Sequence, residues 1–228
     1  YRALQLGQGW QQGRAQVSGA IPIDIVSDVV CPWCFIGKRH LEAALAQCDL
    51  PVSIRWLPYF LNPDTPPEGE AYRPFLERKF GGPEALEGIW SRVREAGRNV
   101  GIAFAFEKIE LRANTLAAHR LIHHAQQKGD ASELVERIFD AGFCEGRFIG
   151  DPAVLADIAA ASDEDRNEVL TWLQSDADAG AVVAQEARLR QLGISGVPFF
   201  IFNGRLAVSG AQPPEVLLDA LRQSVDQA

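Results

Sequence analysis

The chain has 228 residues, of which 47% are hydrophobic, and a formal net charge of −8. This length allows one sizeable core, or a small domain that carries a large insertion. The acidic balance argues against nucleic acid or an anionic membrane as a partner, and no apolar stretch approaches the roughly 18 residues of a membrane span. Four cysteines are too few for a disulfide-stapled secreted scaffold.

Residues 1–20 are polar and lack the apolar core of a signal peptide. The sequence therefore predicts a flexible N-terminal extension on a cytoplasmic protein. It gives no indication of an oligomeric state.

Residues 21–62 follow a strand–helix–strand pattern. An apolar run begins at Ile21, helical spacing of apolar residues follows over 35–47, and Pro51–Pro58 alternates apolar and polar residues before ending at a proline. A β-α-β unit this short implies parallel strands joined by a right-handed crossover.

Residues 63–193 are predicted to form a large all-helical insertion. Prolines at predicted helix starts, Asn114 as a cap and glycines at predicted helix ends divide it into several helices, among them 83–100 and 131–145.

Residues 194–228 return to a β-β-α pattern. Two apolar runs flank a turn at Asn203–Gly204, which is a strong hairpin signal, and a last helix runs to Val225. The predicted fold class is therefore α/β, with residues 21–62 and 194–228 pairing into one sheet that the insertion interrupts in sequence.

Cys31 and Cys34 form the most informative motif, because they lie between the first predicted strand and the first predicted helix. A sulfur at a helix N-terminus meets free backbone N–H groups and the positive end of the helix dipole, which favour an anion. We expect the pKa of the Cys31 thiol to be about 3.5–7.5, against about 8.5 for a free cysteine. Such a thiolate attacks disulfides, and Cys34, one turn along, would resolve the mixed disulfide.

A zinc site is the structural alternative for this pair, and we predict no metal. Zinc needs four ligands in tetrahedral array, yet Cys48 lies too far from Cys34, about 21 Å along a helix, and no second such pair exists. Cys48 and Cys144 are predicted to be lone thiols. His119 and His123 share a helix face without a third ligand of a known motif, so we expect them to be packing residues.

Pro32 and Trp33 separate the two cysteines and influence the stability of the thiolate. Because Trp33 cannot carry a positive charge, we predict a reduction potential between about −270 mV, the value of thioredoxin, and about −120 mV, that of DsbA. Both residues are candidates for substrate binding, with Trp33 as an apolar plate; partial burial by packing is the alternative for Trp33.

Four blocks of sequence together resemble one family. They are Asp28–Gly37, Leu61–Asp64, Asn114–Thr115 with Ala118–Leu121, and Gly193–Phe199 with Ser209–Gln212. With the predicted topology, they resemble the DsbA family of thioredoxin-fold proteins, and most closely its FrnE-like subgroup. The resemblance covers about residues 21–221 and implies a thioredoxin fold with a helical insertion and a thiol–disulfide oxidoreductase or isomerase activity.

The resemblance also implies roles for residues outside the cysteine motif. It implies that the Val197–Pro198 bond is cis and lies beside the cysteines, so that the loop orients the substrate; a trans proline starting an edge strand is the alternative. Asn114 would line the cleft between insertion and core, or cap a helix. Gln212 precedes the last helix, whose N–H groups could meet a glutathione carboxylate, or it forms a plain turn.

One position departs from the family pattern. Thioredoxins and many DsbA-type proteins carry a buried carboxylate six positions before the first cysteine, where this chain has Ile25. Asp28 is nearer to the cysteines, and we expect it to cap the helix or to orient the loop. Proton transfer from Cys34 is then expected to use water.

Thiol–disulfide exchange is the first functional hypothesis, with protein or small-molecule thiols and disulfides as partners, no bound cofactor, and glutathione as the candidate co-substrate. The second is a glutathione-dependent isomerase or transferase acting on a small aromatic or polyketide-type substrate. The same superfamily includes 2-hydroxychromene-2-carboxylate isomerases and kappa-class glutathione transferases, in which a serine replaces Cys31, so this cysteine favours exchange. The third is a redox sensor or chaperone-like binder.

Overall fold

The computed structural model describes residues 4–5, 19–162 and 164–226, so the predicted extension at residues 1–20 lies mostly outside the described residues. The strands of the described part are β1 (Leu4–Gln5), β2 (Ile21–Ser27), β3 (Val52–Pro58), β4 (Glu70–Ala71), β5 (Leu111–Arg112), β6 (Phe199–Phe202) and β7 (Leu206–Ser209). The helices of the same residues are α1 (Pro32–Leu45), α2 (Tyr72–Phe80), α3 (Pro83–Arg98), α4 (Leu116–Gln126), α5 (Ser132–Asp140), α6 (Pro152–Ala160), α7 (Arg166–Leu173), α8 (Ala179–Gln191) and α9 (Pro214–Asp226).

The central sheet has the strand order β1-β7-β6-β2-β3. β2 and β3 are parallel, while β6 pairs antiparallel with both β2 and β7. β2 lies inside the sheet and is covered on both faces, which explains its nearly continuous apolar sequence. The predicted fold class is confirmed: a thioredoxin fold with a helical insertion.

The two faces of the sheet have separate cores. Ile23 and Ile25 point to the face that α1 and α9 cover, and Val26 points to the opposite face with Leu189 of α8. α8 therefore covers the sheet directly, although it lies within residues 63–193, the predicted insertion.

α1 also contacts the insertion. Phe35 stacks on Phe139 of α5 with ring centroids 5.0 Å apart, and it meets Phe104 edge-on. Phe104 in turn stacks on Phe106, so these two phenylalanines belong to the core. The helix that follows the cysteines is thus held by the sheet on one side and by the insertion on the other.

Two small elements escaped the sequence analysis. β4 and β5 form a two-stranded sheet inside the insertion, with Glu70 opposite Arg112. α2 has Tyr72, Phe75 and Leu76 at helical spacing, but none of its residues is fully buried, and Tyr72 and Leu76 pack against the core from its edge.

The described residues include no helix that is both long and apolar enough to cross a membrane.

Candidate active site

Cys31 is the N-cap residue of α1, directly after the loop that leaves β2. Pro32 follows at the first helical position, where a missing N–H costs no helical hydrogen bond. The Cys31 carbonyl accepts the Cys34 N–H at 3.0 Å, which begins the helix. The first turn of α1 contains no acidic residue, so no carboxylate of the helix opposes a negative charge on Cys31.

Both cysteines are more buried than the sequence suggested. Cys31 is 6% exposed and Cys34 2%, whereas the motif predicted a sulfur at an exposed helix end. The difference arises because the loop before β6 covers the helix start: the Cys31 Sγ lies 3.9 Å from the Val197 carbonyl oxygen. Trp33, which follows in α1, is by contrast 42% exposed.

Burial raises the pKa of the Cys34 thiol well above its ordinary value, and the neighbouring Cys31 adds to the rise. The Ser27 hydroxyl and the Asp28 backbone N–H act in the opposite direction without reversing it. Cys34 therefore holds its proton in the reduced protein at neutral pH. The pair is asymmetric, with Cys31 the more accessible thiol and Cys34 the protonated one behind it.

The Val197–Pro198 peptide bond is cis, as the family resemblance implied. The loop approaches α1 at Gly37. A Cβ atom at Gly37 would lie 3.1 Å from the Pro198 ring and 3.0 Å from the ring of Phe200, which is closer than most side-chain contacts. Glycine at this position lets the loop come close to the helix that carries the cysteines.

Asp28 is fully buried beneath the cysteine loop. One carboxylate oxygen accepts the Leu61 N–H at 2.8 Å, and the other lies 3.3 Å from Nε2 of His119 on α4. The N-cap of α1 has no side-chain partner, so Asp28 does not cap that helix. It orients the loop instead, and it ties the loop to the end of β3 and to the insertion.

Asn114 uses both of its polar groups inside the protein. Its amide nitrogen donates to the Thr65 carbonyl at 2.7 Å, and its side-chain oxygen accepts the Leu116 N–H at 3.0 Å at the start of α4. The N-cap residue of α4 is Thr115, so Asn114 precedes the cap and bonds to the first residue of the helix.

Gln212 is likewise engaged within its own turn. Its amide donates to the Ser209 carbonyl at 3.0 Å, and its backbone carbonyl oxygen lies 2.9 Å from Nδ1 of His40 on α1. The structure thus brings Cys31, Cys34 and the Val197–Pro198 loop together, while Gln212 anchors the turn before α9.

A buried charged cluster lies one turn beyond Cys34. Lys38 is buried and pairs with Glu42 and with Glu136 of α5, which also pairs with Arg39. Lys38 could not be recognised as buried from the sequence, because a lysine beside Arg39 on a predicted helix is normally exposed. The cluster fixes α1 against the insertion.

A small, partly open pocket lies beside the cysteine loop. Val29 and Val30, directly before the cysteines, line it on one side, and Tyr72 and Phe143 line it from the insertion, with Arg147 nearby. Burial raises the pKa of the Tyr72 phenol.

Cys48 and Cys144 are half-buried free thiols. Burial, followed by the charge of Asp140, raises the pKa of Cys144 to about 11. Across the described residues, no group of three His, Cys, Asp or Glu side chains converges as metal ligands would.

A Cys-Pro-Trp-Cys pair at the first helix of a β-α-β unit, beside a cis-proline loop, defines a thioredoxin-fold protein with a dithiol site. The chain belongs to the DSBA-like thioredoxin domain family, which matches residues 22–222.

Known proteins agree with this family membership. A probable DsbA oxidoreductase from Streptomyces coelicolor is 30% identical, with a TM-score of 0.82 and 91% of each chain covered. An uncharacterized protein of Bacillus subtilis is 26% identical over 208 residues, 88% of this chain and 96% of its own. The cytosolic disulfide reductase DsbM from Pseudomonas aeruginosa, solved with glutathione, shares the fold at 17% identity, with a TM-score of 0.63 over 90% of this chain and 99% of that one.

Proposed function

We propose that the protein is a thiol–disulfide oxidoreductase in which Cys31 is the nucleophile and Cys34 the resolving cysteine. The asymmetry of the pair carries the proposal: Cys31 is the N-cap residue of α1 and is 6% exposed, whereas Cys34 lies one turn further on and is 2% exposed. A thiolate is favoured at the first position by the helix dipole and free N–H groups. Membership of a family with oxidoreductase relatives supports the same activity.

The exchange moves two electrons between the pair and a substrate. In the reducing direction, the Cys31 thiolate attacks one sulfur of a substrate disulfide, forms a mixed disulfide and releases one substrate thiolate. Cys34 then loses its proton to solvent and attacks the Cys31 sulfur. The internal disulfide forms, and the second substrate thiolate leaves and is protonated by water. The reverse sequence oxidises a substrate dithiol.

The surroundings of Cys31 supply the elements of a substrate site. The Val197 carbonyl oxygen borders the Cys31 sulfur, which supports a role for the Val197–Pro198 loop in orienting the substrate. Pro32 and the exposed Trp33 offer apolar surface next to it. Glutathione is the candidate co-substrate, because a relative of the same fold was solved with it; protein disulfides are the other substrate class.

Two serine variants test the proposal. Cys31→Ser should reduce catalysed insulin reduction to the uncatalysed rate, because no thiolate is left to attack. Cys34→Ser should accumulate a mixed disulfide on Cys31, visible by mass spectrometry of the non-reduced protein. Cys48→Ser is the matched control and should keep the wild-type rate.

Unchanged turnover in Cys31→Ser would end this proposal. Glutathione-dependent conversion of a small aromatic substrate that survives Cys34→Ser would favour the isomerase or transferase alternative instead.

A further inference from the structure

Ser27 is the last residue of β2, four residues before Cys31. Side chains alternate along a strand, so Ser27 shares a face with Ile23 and Ile25, the face that α1 covers. It is also the residue of that row nearest to the cysteine loop. Val26, which lies between Ile25 and Ser27 in sequence, points to the core on the opposite face of the sheet.

The Ser27 side chain is buried without a conventional partner. The residue is 4% exposed, and its hydroxyl oxygen makes no hydrogen bond of standard geometry within the described residues. Buried polar groups are nearly always hydrogen-bonded, so such an exception calls for an explanation. The hydroxyl does lie close enough to the Cys34 sulfur to lower the pKa of that thiol.

Cys34 needs such a donor when it reacts. It is buried and must become a thiolate to attack the mixed disulfide, and burial opposes that charge. Ile25 occupies the position six residues before Cys31 and offers it no polar group.

The other charged groups near Cys34 are already engaged. Cys31 is the titratable group in contact with it and opposes its ionisation. The Asp28 carboxylate accepts from Leu61 and pairs with His119, and Lys38, one turn along α1, pairs with two glutamates. The Asp28 backbone N–H and the Ser27 hydroxyl are the groups that favour the thiolate.

We propose that the Ser27 hydroxyl donates a hydrogen bond to the Cys34 sulfur as its thiolate forms, and thereby speeds the resolving step of thiol–disulfide exchange. In the reduced protein the Ser27 hydroxyl has no hydrogen-bond partner of standard geometry among the described residues, and a thiolate on Cys34 would supply an acceptor. This inference rests on the proposed function for its role in turnover, but its physical basis can be tested separately.

The first test measures Cys34 alone. In a Cys31→Ala, Cys48→Ser, Cys144→Ser background, the ultraviolet absorbance of the thiolate gives the Cys34 titration. The threonine of Ser27→Thr and the valine of Ser27→Val have side chains of the same shape, and only threonine has a hydroxyl. Ser27→Ala is a second variant without a hydroxyl and with a smaller side chain. A hydrogen bond to a charged group predicts a midpoint about one pH unit higher in the Val and Ala variants than with Ser or Thr. Equal midpoints in all four proteins would overturn the inference.

The second test separates the two chemical steps. With a chromogenic aromatic disulfide and a Cys48→Ser, Cys144→Ser background, attack by Cys31 releases one thiolate and resolution by Cys34 releases a second. The first phase should be the same in the Thr and Val variants. The second phase should be about threefold slower in Ser27→Val at pH values below the Cys34 titration midpoint. At such pH values the variant has roughly tenfold less Cys34 thiolate, and the greater nucleophilicity of a thiolate with a higher pKa offsets part of that loss.

The pH profile distinguishes this role from a structural defect. The profile of the second phase should shift to higher pH in Ser27→Val and return with Ser27→Thr. Identical second-phase profiles for these two variants would contradict the inference. A wild-type protein with no second phase would instead contradict the proposed function, while the absorbance titration would still decide the role of Ser27.

Discussion

Cys34 links the chemistry of the site to the stability of the protein. Its thiol is buried in the folded chain, where burial raises its pKa, whereas the same thiol in the unfolded chain titrates near about 8.5. Above that pH the unfolded chain loses a proton that the folded chain retains. Since the folded state then binds more protons, the free energy of unfolding falls as the pH rises.

The free energy of unfolding of the reduced protein should therefore fall above a pH of about 8.5. In Cys34→Ala it should fall less steeply, and the slopes of the two proteins should differ by up to about 1.4 kcal/mol for each pH unit. Cys144 and Tyr72 have raised pKa values and contribute in the same direction in both proteins. The contribution of Cys34 is the difference between the wild-type and Cys34→Ala proteins in how the free energy of unfolding changes with pH. Urea unfolding of both proteins under reducing conditions between pH 7.5 and 10 measures it, and parallel curves would contradict the account of Cys34.

The sequence could predict the two cysteines but not the residues that control them. Cys31 and Cys34 are recognisable because the motif combines two reactive side chains with a strand–helix boundary. Ser27 is an ordinary polar residue at a strand end, and Lys38 is an ordinary charge on a helix. Their roles follow from burial and from contacts across the molecule, which local sequence does not encode.

At the scale of elements, α1 is the helix on which the site depends. It carries both cysteines, packs on the sheet and α9, and contacts the insertion through Phe35 and Lys38. Gly37 is the point at which it meets the Val197–Pro198 loop and Phe200 of β6. The backbone of α1 at this residue therefore sets the distance between the cysteines and the loop.

Gly37→Ala should lower kcat/KM and make the protein less stable than Gly88→Ala does, by about 1–3 kcal/mol. Both changes add helix propensity, worth about 0.5–1 kcal/mol. The new Cβ at Gly37 meets Pro198 and the buried Phe200, and such overpacking is costly. Gly88, within α3, has open space around it, so Gly88→Ala should be stabilising and leave activity unchanged. Thermal unfolding and insulin reduction measure the two effects, and equal behaviour of the variants would contradict a tight contact at Gly37.

A helix with a buried apolar face was predictable, whereas a change of helix type within a predicted helix was not. Residues 83–98 form α3 close to the predicted span of 83–100, since Leu86, Trp90 and Val93 lie on one buried face. The span predicted to end at Glu145 ends as an α-helix at Asp140 and continues as a π-helix over Ala141–Glu145. Phe143, within the π-helix, is buried and packs edge-on against Phe104, and the apolar spacing gives no sign of the change of helix type.

At the scale of the molecule, the site is assembled from distant parts of the chain. Cys31 and Val197 are 166 residues apart in sequence, yet Sγ and the carbonyl oxygen are in contact. The sheet achieves this by setting β6 beside β2, with Ile25 opposite Phe200. The pairing of residues 21–62 with residues 194–228 could be predicted from the strand patterns and the family resemblance. The packing of α8 on the sheet could not, because it depends on tertiary contacts.

The central claim is that Cys31 and Cys34 exchange two electrons as one couple. Equilibration of the protein in glutathione buffers of stepped potential, followed by alkylation and mass spectrometry of the peptide that holds both residues, tests it directly. We predict a single two-electron transition to an internal disulfide, with a midpoint between about −270 and −120 mV. A pair that stays reduced throughout, or that stops at a single glutathione adduct on Cys31, would contradict the account.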